Sequence, residues 1–121
     1  MELEKLPYAF TVCKAADIKD VELGAEFCFV GKTDEELSLV CKTADVPENV
    51  TEREDGWRGF RIVGTLDFSL VGVLSKISAV LAGAGIGIFA VSTFNTDYIF
   101  VKEDDLAPAL DALSKAGYGI V

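Results

Sequence analysis

The sequence has no histidine among its 121 residues. That removes the side chain best suited to proton transfer near neutral pH, and the usual zinc ligand with it. No paired-carboxylate or lysine-nucleophile pattern stands in its place, so the residues point away from catalysis. Bases are also scarce, with 11 Lys and Arg against 20 Asp and Glu and a net charge of −9. Binding to phosphate backbones needs clustered cations, and these are scattered, which argues against a nucleic-acid partner. The three cysteines, Cys13, Cys28 and Cys41, never fall in a C-x-x-C spacing. Each sits in an apolar, strand-like context, which predicts reduced packing residues and no metal site. The acidic run Glu103-Asp104-Asp105 reads as a solvated helix start, so neither metal nor cofactor is expected.

Long hydrophobic runs are missing too. The longest nearly uncharged stretch, Phe68–Thr96, is broken by Lys76 and by glycines at 72, 83, 85 and 87. It offers no membrane-spanning helix. Met1–Leu6 is charged and lacks a signal-peptide core, which predicts a cytoplasmic protein. Gly83–Gly87 follows a helical stretch and is not accompanied by Gly-Lys-Ser/Thr, so it is no phosphate loop.

What is present is a series of short elements. Tyr8–Ala15 reads as a strand, Glu26–Lys32 and Leu37–Lys42 as a hairpin, and Asp17–Gly24 as a loop. Charged Asp45–Trp57, with Pro47 and Gly56, reads as a linker. Arg61–Leu66 is a predicted strand. Leu70, Val73, Leu74, Ile77, Leu81 and Ala84 form the stripe of an amphipathic helix, capped by Asp67 or Ser69 and stopped by Gly83 and Gly85. Ile86–Thr93 and Tyr98–Lys102 are strands joined at Asn95-Thr96-Asp97. Leu106, Ala109, Leu110 and Leu113 mark a last helix, capped by Asp104 or Asp105, before a terminal strand at Tyr118–Val121. The second half is thus an α+β unit of order β-α-β-β-α-β, with both helices on one face of an antiparallel sheet. Residues 57–121 make this domain; residues 1–56 are expected to form a smaller, strand-rich lobe, a degenerate copy of it.

The stretches Asp67-Phe68-Ser69-Leu70-Val71-Gly72, Ala82-Gly83-Ala84-Gly85-Ile86 and Ser92-Thr93-Phe94-Asn95-Thr96-Asp97-Tyr98 resemble the ACT domain family. They are similar in particular to the small tandem-ACT proteins of the arginine-sensing CASTOR branch. The resemblance covers nearly the whole chain and is strongest over 57–121. It implies a ferredoxin-like fold, side-by-side association of ACT units into a homodimer or higher homo-oligomer, and a regulatory amino-acid ligand at their interface. It places ligand contacts at Asp67, Phe68, Ser69, Leu70, Val71 and Gly72, and, from the CASTOR branch, at Ser92, Thr93, Thr96 and Asp97. The chain departs from the family in having no proline before Gly72. With the excess of acid, the likeness favours a basic amino acid.

The chemistry is direct. Unpaired N–H groups at a helix start suit a carboxylate, and a glycine there lets a ligand approach the backbone. Asp67 and Asp97 are placed to pair with an ammonium, with Ser69, Thr93 and Asn95 to orient it. Each residue also has a structural account. Asp67 and Ser69 serve as caps, Gly72 as a close-packing position, Asn95–Asp97 as a turn, and Phe68, Phe89, Phe94 and Phe100 as core or interface. Two functions therefore stand open: a non-enzymatic amino-acid sensor whose ligand biases a regulated protein partner, or an adaptor module joined through exposed sheet edges.

Overall fold

Two strands run longer than the residue pattern suggests. The computed structural model describes residues 1–67 and 69–121; Phe68, a predicted ligand contact, lies outside the described residues. Glu2–Lys14 forms β1 and Glu52–Ile62 forms β4. The expected linker at Asp45–Trp57 is therefore corrected, since its second half is strand. Alternation gives no signal there because Glu52, Arg53, Glu54 and Asp55 are all exposed. Backbone pairing holds the segment instead. Thr51 N–H donates to the Lys14 carbonyl at 3.0 Å, and the buried Thr11 hydroxyl donates to Asp55 Oδ1 at 2.6 Å. The strand expected at Arg61–Leu66 ends at Ile62, and Gly64 turns the chain at φ +98°.

The remaining elements are β2 (Phe29–Lys32), β3 (Leu37–Lys42), α1 (Val73–Gly83), β5 (Ile88–Ser92), β6 (Asp97–Lys102), α2 (Leu106–Lys115) and β7 (Gly119–Ile120). The chain divides into two units, Met1–Pro7 with Arg58–Val121, and Tyr8–Trp57. The long strands β1 and β4 each give one part to either unit.

In the unit containing the helices, the strand order is β5-β6-β4-β1, with β7 parallel to the start of β1. β5 and β6 are antiparallel. Val63 N–H meets the Glu2 carbonyl at 2.9 Å beside β1. Leu3, Phe60, Ile62, Ile99 and Val101 turn one strand face inward, where they meet Ile77 and Leu81 of α1 and Ala109 and Leu113 of α2. This is the α+β architecture expected. On the opposite face Phe89 stacks on Phe100, with centroids 4.8 Å apart, and Phe100 lies over Gly59. Helix α1 starts at Val73, not at Leu70. Gly72 occupies the N-cap at φ +80°, which glycine adopts without strain, and no side chain caps the helix. Asp105 holds the N-cap position of α2, as expected of Asp104 or Asp105, but makes no side-chain cap bond, and both lie in a 3₁₀ turn leading into the helix. No helix among the described residues is long and apolar enough to cross a membrane.

In the unit Tyr8–Trp57 the order is β2-β3-β1-β4, and 3₁₀ turns at Ile18–Asp20 and Thr43–Asp45 stand between strands. Cys13, Ala15, Val21, Leu39 and Cys41 form its core, and all three cysteines are free. Its hairpin repeats that of the other unit sixty positions earlier. Phe29 faces Val40 as Phe89 faces Phe100, and Lys32 faces Leu37 as Ser92 faces Asp97. Both turns close alike, Thr33 N–H to the Glu36 carbonyl and Thr93 N–H to the Thr96 carbonyl, each at 2.9 Å. Both hairpins run on into a 3₁₀ turn, Thr43–Asp45 or Glu103–Asp105.

Candidate functional site

Where β4 ends, the chain must turn towards α1, and where β5 ends it must return as β6. These two connections lie side by side, because Leu66 N–H donates to the Asn95 carbonyl at 2.7 Å. Between them and the start of α1 opens a cleft of about 360 Å³. Of the predicted ligand contacts, Asp67, Leu70, Gly72, Ser92, Thr93, Thr96 and Asp97 line it. Ser69 and Val71 belong to the same loop but not to the lining. Leu66, Leu74 and Ser75 also line the cleft. The sequence reading passed over them, because with the helix start placed at Leu70 Ser75 falls in the second turn, where N–H groups are already bonded.

One wall of the cleft is electropositive. The Gly72 carbonyl accepts the first intrahelical bond, from Lys76 N–H at 2.9 Å. The N–H groups of Val73, Leu74 and Ser75 precede that bond and so have no partner within the helix, at the end where the helix dipole is positive. The opposing residues are acidic. Asp67 and Asp97 both line the cleft, and no lysine or arginine does among the described lining residues. Asp67 Oδ1 accepts Ser69 N–H at 2.8 Å, so it closes a turn in the loop instead of capping α1. Its bonds from the Ser69 backbone, then from the Ser69 side chain, hold its pKa below the ordinary 3.8. Ser92 donates to Asp97 Oδ1 at 2.5 Å.

The threonines have structural partners. Thr93 Oγ1 donates to the Thr96 carbonyl at 3.0 Å, closing the turn. Thr96, 8% exposed, donates its hydroxyl to the Ile62 carbonyl at 2.8 Å. Of the lining residues, Leu70 and Phe94 are exposed by 53% and 78%, and Val71 in the same loop by 90%.

Two other hollows differ in kind. One of about 320 Å³ shares Thr93, Asn95 and Thr96 with the cleft and holds Arg61, whose Nε donates to Glu4 at 2.8 Å and Nη1 to Tyr98 at 3.2 Å. Those bonds, Tyr98 first, raise the Arg61 pKa. The other, in the unit Tyr8–Trp57, has about 410 Å³, more than either the cleft or the first hollow. It is bordered by the Lys14–Glu52 ion pair at 3.7 Å and by Arg53, which is bound to Asp55 at 2.9 Å. Size does not select the site here, since of these three hollows, as lined by the described residues, the 360 Å³ cleft is the one that joins a helix start to carboxylates. Among the described residues no group of three or more Cys, Asp and Glu is arranged to hold a metal ion.

A family profile described as ACT domain matches residues 52–115. The human cytosolic arginine sensor for mTORC1 subunit 1 is 35% identical over 65 residues, 53% of this chain and 20% of that protein. The mouse protein of the same name is 37% identical over 60 residues, 49% of this chain and 18% of its own. The chain thus spans about one fifth of the length of these curated relatives. A crystal structure of an Agrobacterium tumefaciens protein superposes with a TM-score of 0.87 at 31% identity, covering 99% of this chain and 91% of that one. The regulatory subunit of aspartate kinase from Thermus thermophilus shares the fold at a TM-score of 0.66 and 13% identity, with 97% of each chain covered.

Proposed function

Because the chain belongs to the ACT domain family, we propose that it is a non-enzymatic regulatory module that binds a free amino acid in the cleft beside α1. The observation that carries this reading is the polarity of the cleft. Unpaired N–H groups of Val73–Ser75 stand at one side, and the carboxylates of Asp67 and Asp97 line the same space. A zwitterion needs this arrangement, with its carboxylate at the helix start and its ammonium on an aspartate. The second aspartate is then left to pair with a cationic side chain, which favours a basic amino acid. The two hairpins add support. Where one has Lys32 opposite Leu37, the other has Ser92 hydrogen-bonded to Asp97, so the polar pair is not a requirement of the hairpin itself.

The strand order β2-β3-β1-β4 and the repeated hairpin of Tyr8–Trp57 support reading residues 1–56 as a degenerate ACT-like lobe and 57–121 as an ACT domain, except that Met1–Pro7 belongs to the unit of the latter. Exposed Leu70 and Phe94 in the cleft lining, with exposed Val71 in the same loop, favour a ligand enclosed at an interface of ACT units, in a homodimer or higher assembly. A cytoplasmic location accords with the relatives, which are named as cytosolic sensors.

Thermal unfolding with each of the twenty amino acids at millimolar concentration tests the proposal. A ligand at 100 times its Kd stabilises the fold by about 2.7 kcal/mol. Arginine or lysine is expected to raise Tm most, and no reproducible rise with any amino acid refutes the reading. The competing adaptor reading draws on β5, the outermost strand of its unit, which carries no charge or proline to protect its edge. Under that reading Asp67→Ala and Asp97→Ala leave self-association unchanged.

A further inference from the structure

We infer that Thr96 is a positioning residue of the cleft: its buried hydroxyl, donating to the Ile62 carbonyl, fixes the β5–β6 turn against the end of β4 and so sets the spacing of the cleft walls. The inference rests on the amino-acid reading for its consequence in binding, while its structural half stands without it.

The first observation is location. Thr96 lies between two residues that act on the cleft directly. Asn95, before it, accepts Leu66 N–H at 2.7 Å and so joins the turn to the loop leading to α1. Asp97, after it, lines the cleft with its carboxylate bonded to Ser92 at 2.5 Å. Over three successive residues the turn holds the loop, holds the strand end and presents a carboxylate. Thr96 supplies the middle attachment.

The second observation separates this role from ordinary turn formation. The hairpin β2–β3 makes the same turn with Glu36 at the corresponding place. Thr33 N–H reaches the Glu36 carbonyl at 2.9 Å, and Glu36 N–H reaches Thr33 Oγ1 at 3.1 Å. In the β5–β6 turn the matching distances are 2.9 and 3.4 Å. The turn therefore closes without a hydroxyl at its fourth position. Glu36 is exposed, whereas Thr96 is buried. The Thr96 side chain is thus surplus to the turn and serves the attachment to β4.

The third observation is chemical. Valine has the shape of threonine without the hydroxyl, so Thr96→Val leaves the Ile62 carbonyl without this donor in a buried place. Serine keeps the donor. Loss of the bond frees the turn to move away from the loop, and the Leu66–Asn95 bond should open more often. A ligand bridging Asp97 and the helix start would then bind to a cleft that is preset for only part of the time.

The test compares Thr96→Val, Thr96→Ser and Thr11→Val by two measurements, hydrogen exchange at the Leu66 amide in the free protein and the affinity for L-arginine by calorimetry. Thr11 is the control, a fully buried threonine whose hydroxyl bonds to Asp55 in the other unit. Thr96→Val should speed Leu66 exchange and weaken L-arginine binding by about tenfold each. Thr96→Ser should leave both close to wild type, and Thr11→Val should leave both unchanged relative to its own global stability. Unaltered Leu66 exchange in Thr96→Val, or equal effects from Thr11→Val, overturns the inference. If Thr96→Val does not fold, Thr96→Ala, which leaves space for water at the carbonyl, is judged by the same criteria. If wild-type protein binds no L-arginine, that ligand is wrong, and the exchange comparison alone decides whether Thr96 is the clamp.

Discussion

Ser92 donates its hydroxyl to Asp97 Oδ1 at 2.5 Å across the last pair of the β5–β6 hairpin. The bond fixes the carboxylate at the edge of the cleft with one oxygen engaged. Asp97→Asn preserves shape and removes charge. It should weaken L-arginine binding by about tenfold or more, as a charge-assisted bond of roughly 1.5–3 kcal/mol is lost. The circular dichroism spectrum should not change. Wild-type affinity in this variant would show that the ammonium lies elsewhere.

Gly59 and Phe100 make a second pair. A Cβ on Gly59 would stand 2.8 Å from Phe100 Cε1, and the Phe100 ring is fully buried. Gly59→Ala is therefore expected to cost about 1–3 kcal/mol by overpacking. Gly83, the last residue of α1, meets nothing within 4 Å. Gly83→Ala should stabilise by about 0.4–1 kcal/mol through a less flexible unfolded chain. Urea denaturation of both variants checks the opposite signs.

The cysteines predict a pH dependence. Burial, and then the neighbouring thiols Cys13 and Cys28, push the Cys41 pKa from 9.0 up to about 12, and burial also raises that of Cys13. In the unfolded chain these thiols ionise from about 9.0, so between pH 9 and 12 the unfolded state binds fewer protons than the folded one. Stability should fall with rising pH across that window. Cys41→Val should make the decline shallower in urea titrations. Native protein at pH 8 should resist alkylation by iodoacetamide at Cys13 and Cys41.

Asp67 predicts the contrary dependence. Its pKa is held below 3.8 by the Ser69 backbone bond and then by the Ser69 side chain. The contribution of those bonds is present above pH 3.8 and disappears as pH falls through the lower folded value. Carboxyl-carbon NMR should find Asp67 titrating below 3.8, and Ser69→Ala should move it partly back. Titration at or above 3.8 in wild type would mean that the loop turn does not persist in solution.

Much of the lining of the candidate cleft was legible, partly because its residues signal through local chemistry and partly through the family resemblance. Gly72, Asp67 and the Ser92–Asp97 run mark places where the backbone must bend or present a polar group, and seven of the ten predicted contacts line one cleft. Strand β4 was not legible. Its charged half, Glu52–Asp55, buries no face, so hydrophobic alternation is silent and only pairing with β1 reveals a strand. The helix start was misplaced because Leu70 fits the 3.6-residue stripe, yet Gly72 adopts a left-handed φ that delays α1 to Val73. Thr96 enters as a ligand contact only through the resemblance to the CASTOR branch, and by its own residue pattern as part of a turn. Its partner, the Ile62 carbonyl, is 34 residues away in sequence and invisible to local spacing.

The repeated hairpin has a practical consequence for anyone wishing to redirect this molecule. One frame already accommodates Lys32, Glu35 and Leu37 in one instance and Ser92, Asn95 and Asp97 in the other. Exchanging residues between the two instances at these positions is accordingly expected to change what the turn presents, while the scaffold that carries them stays as it is.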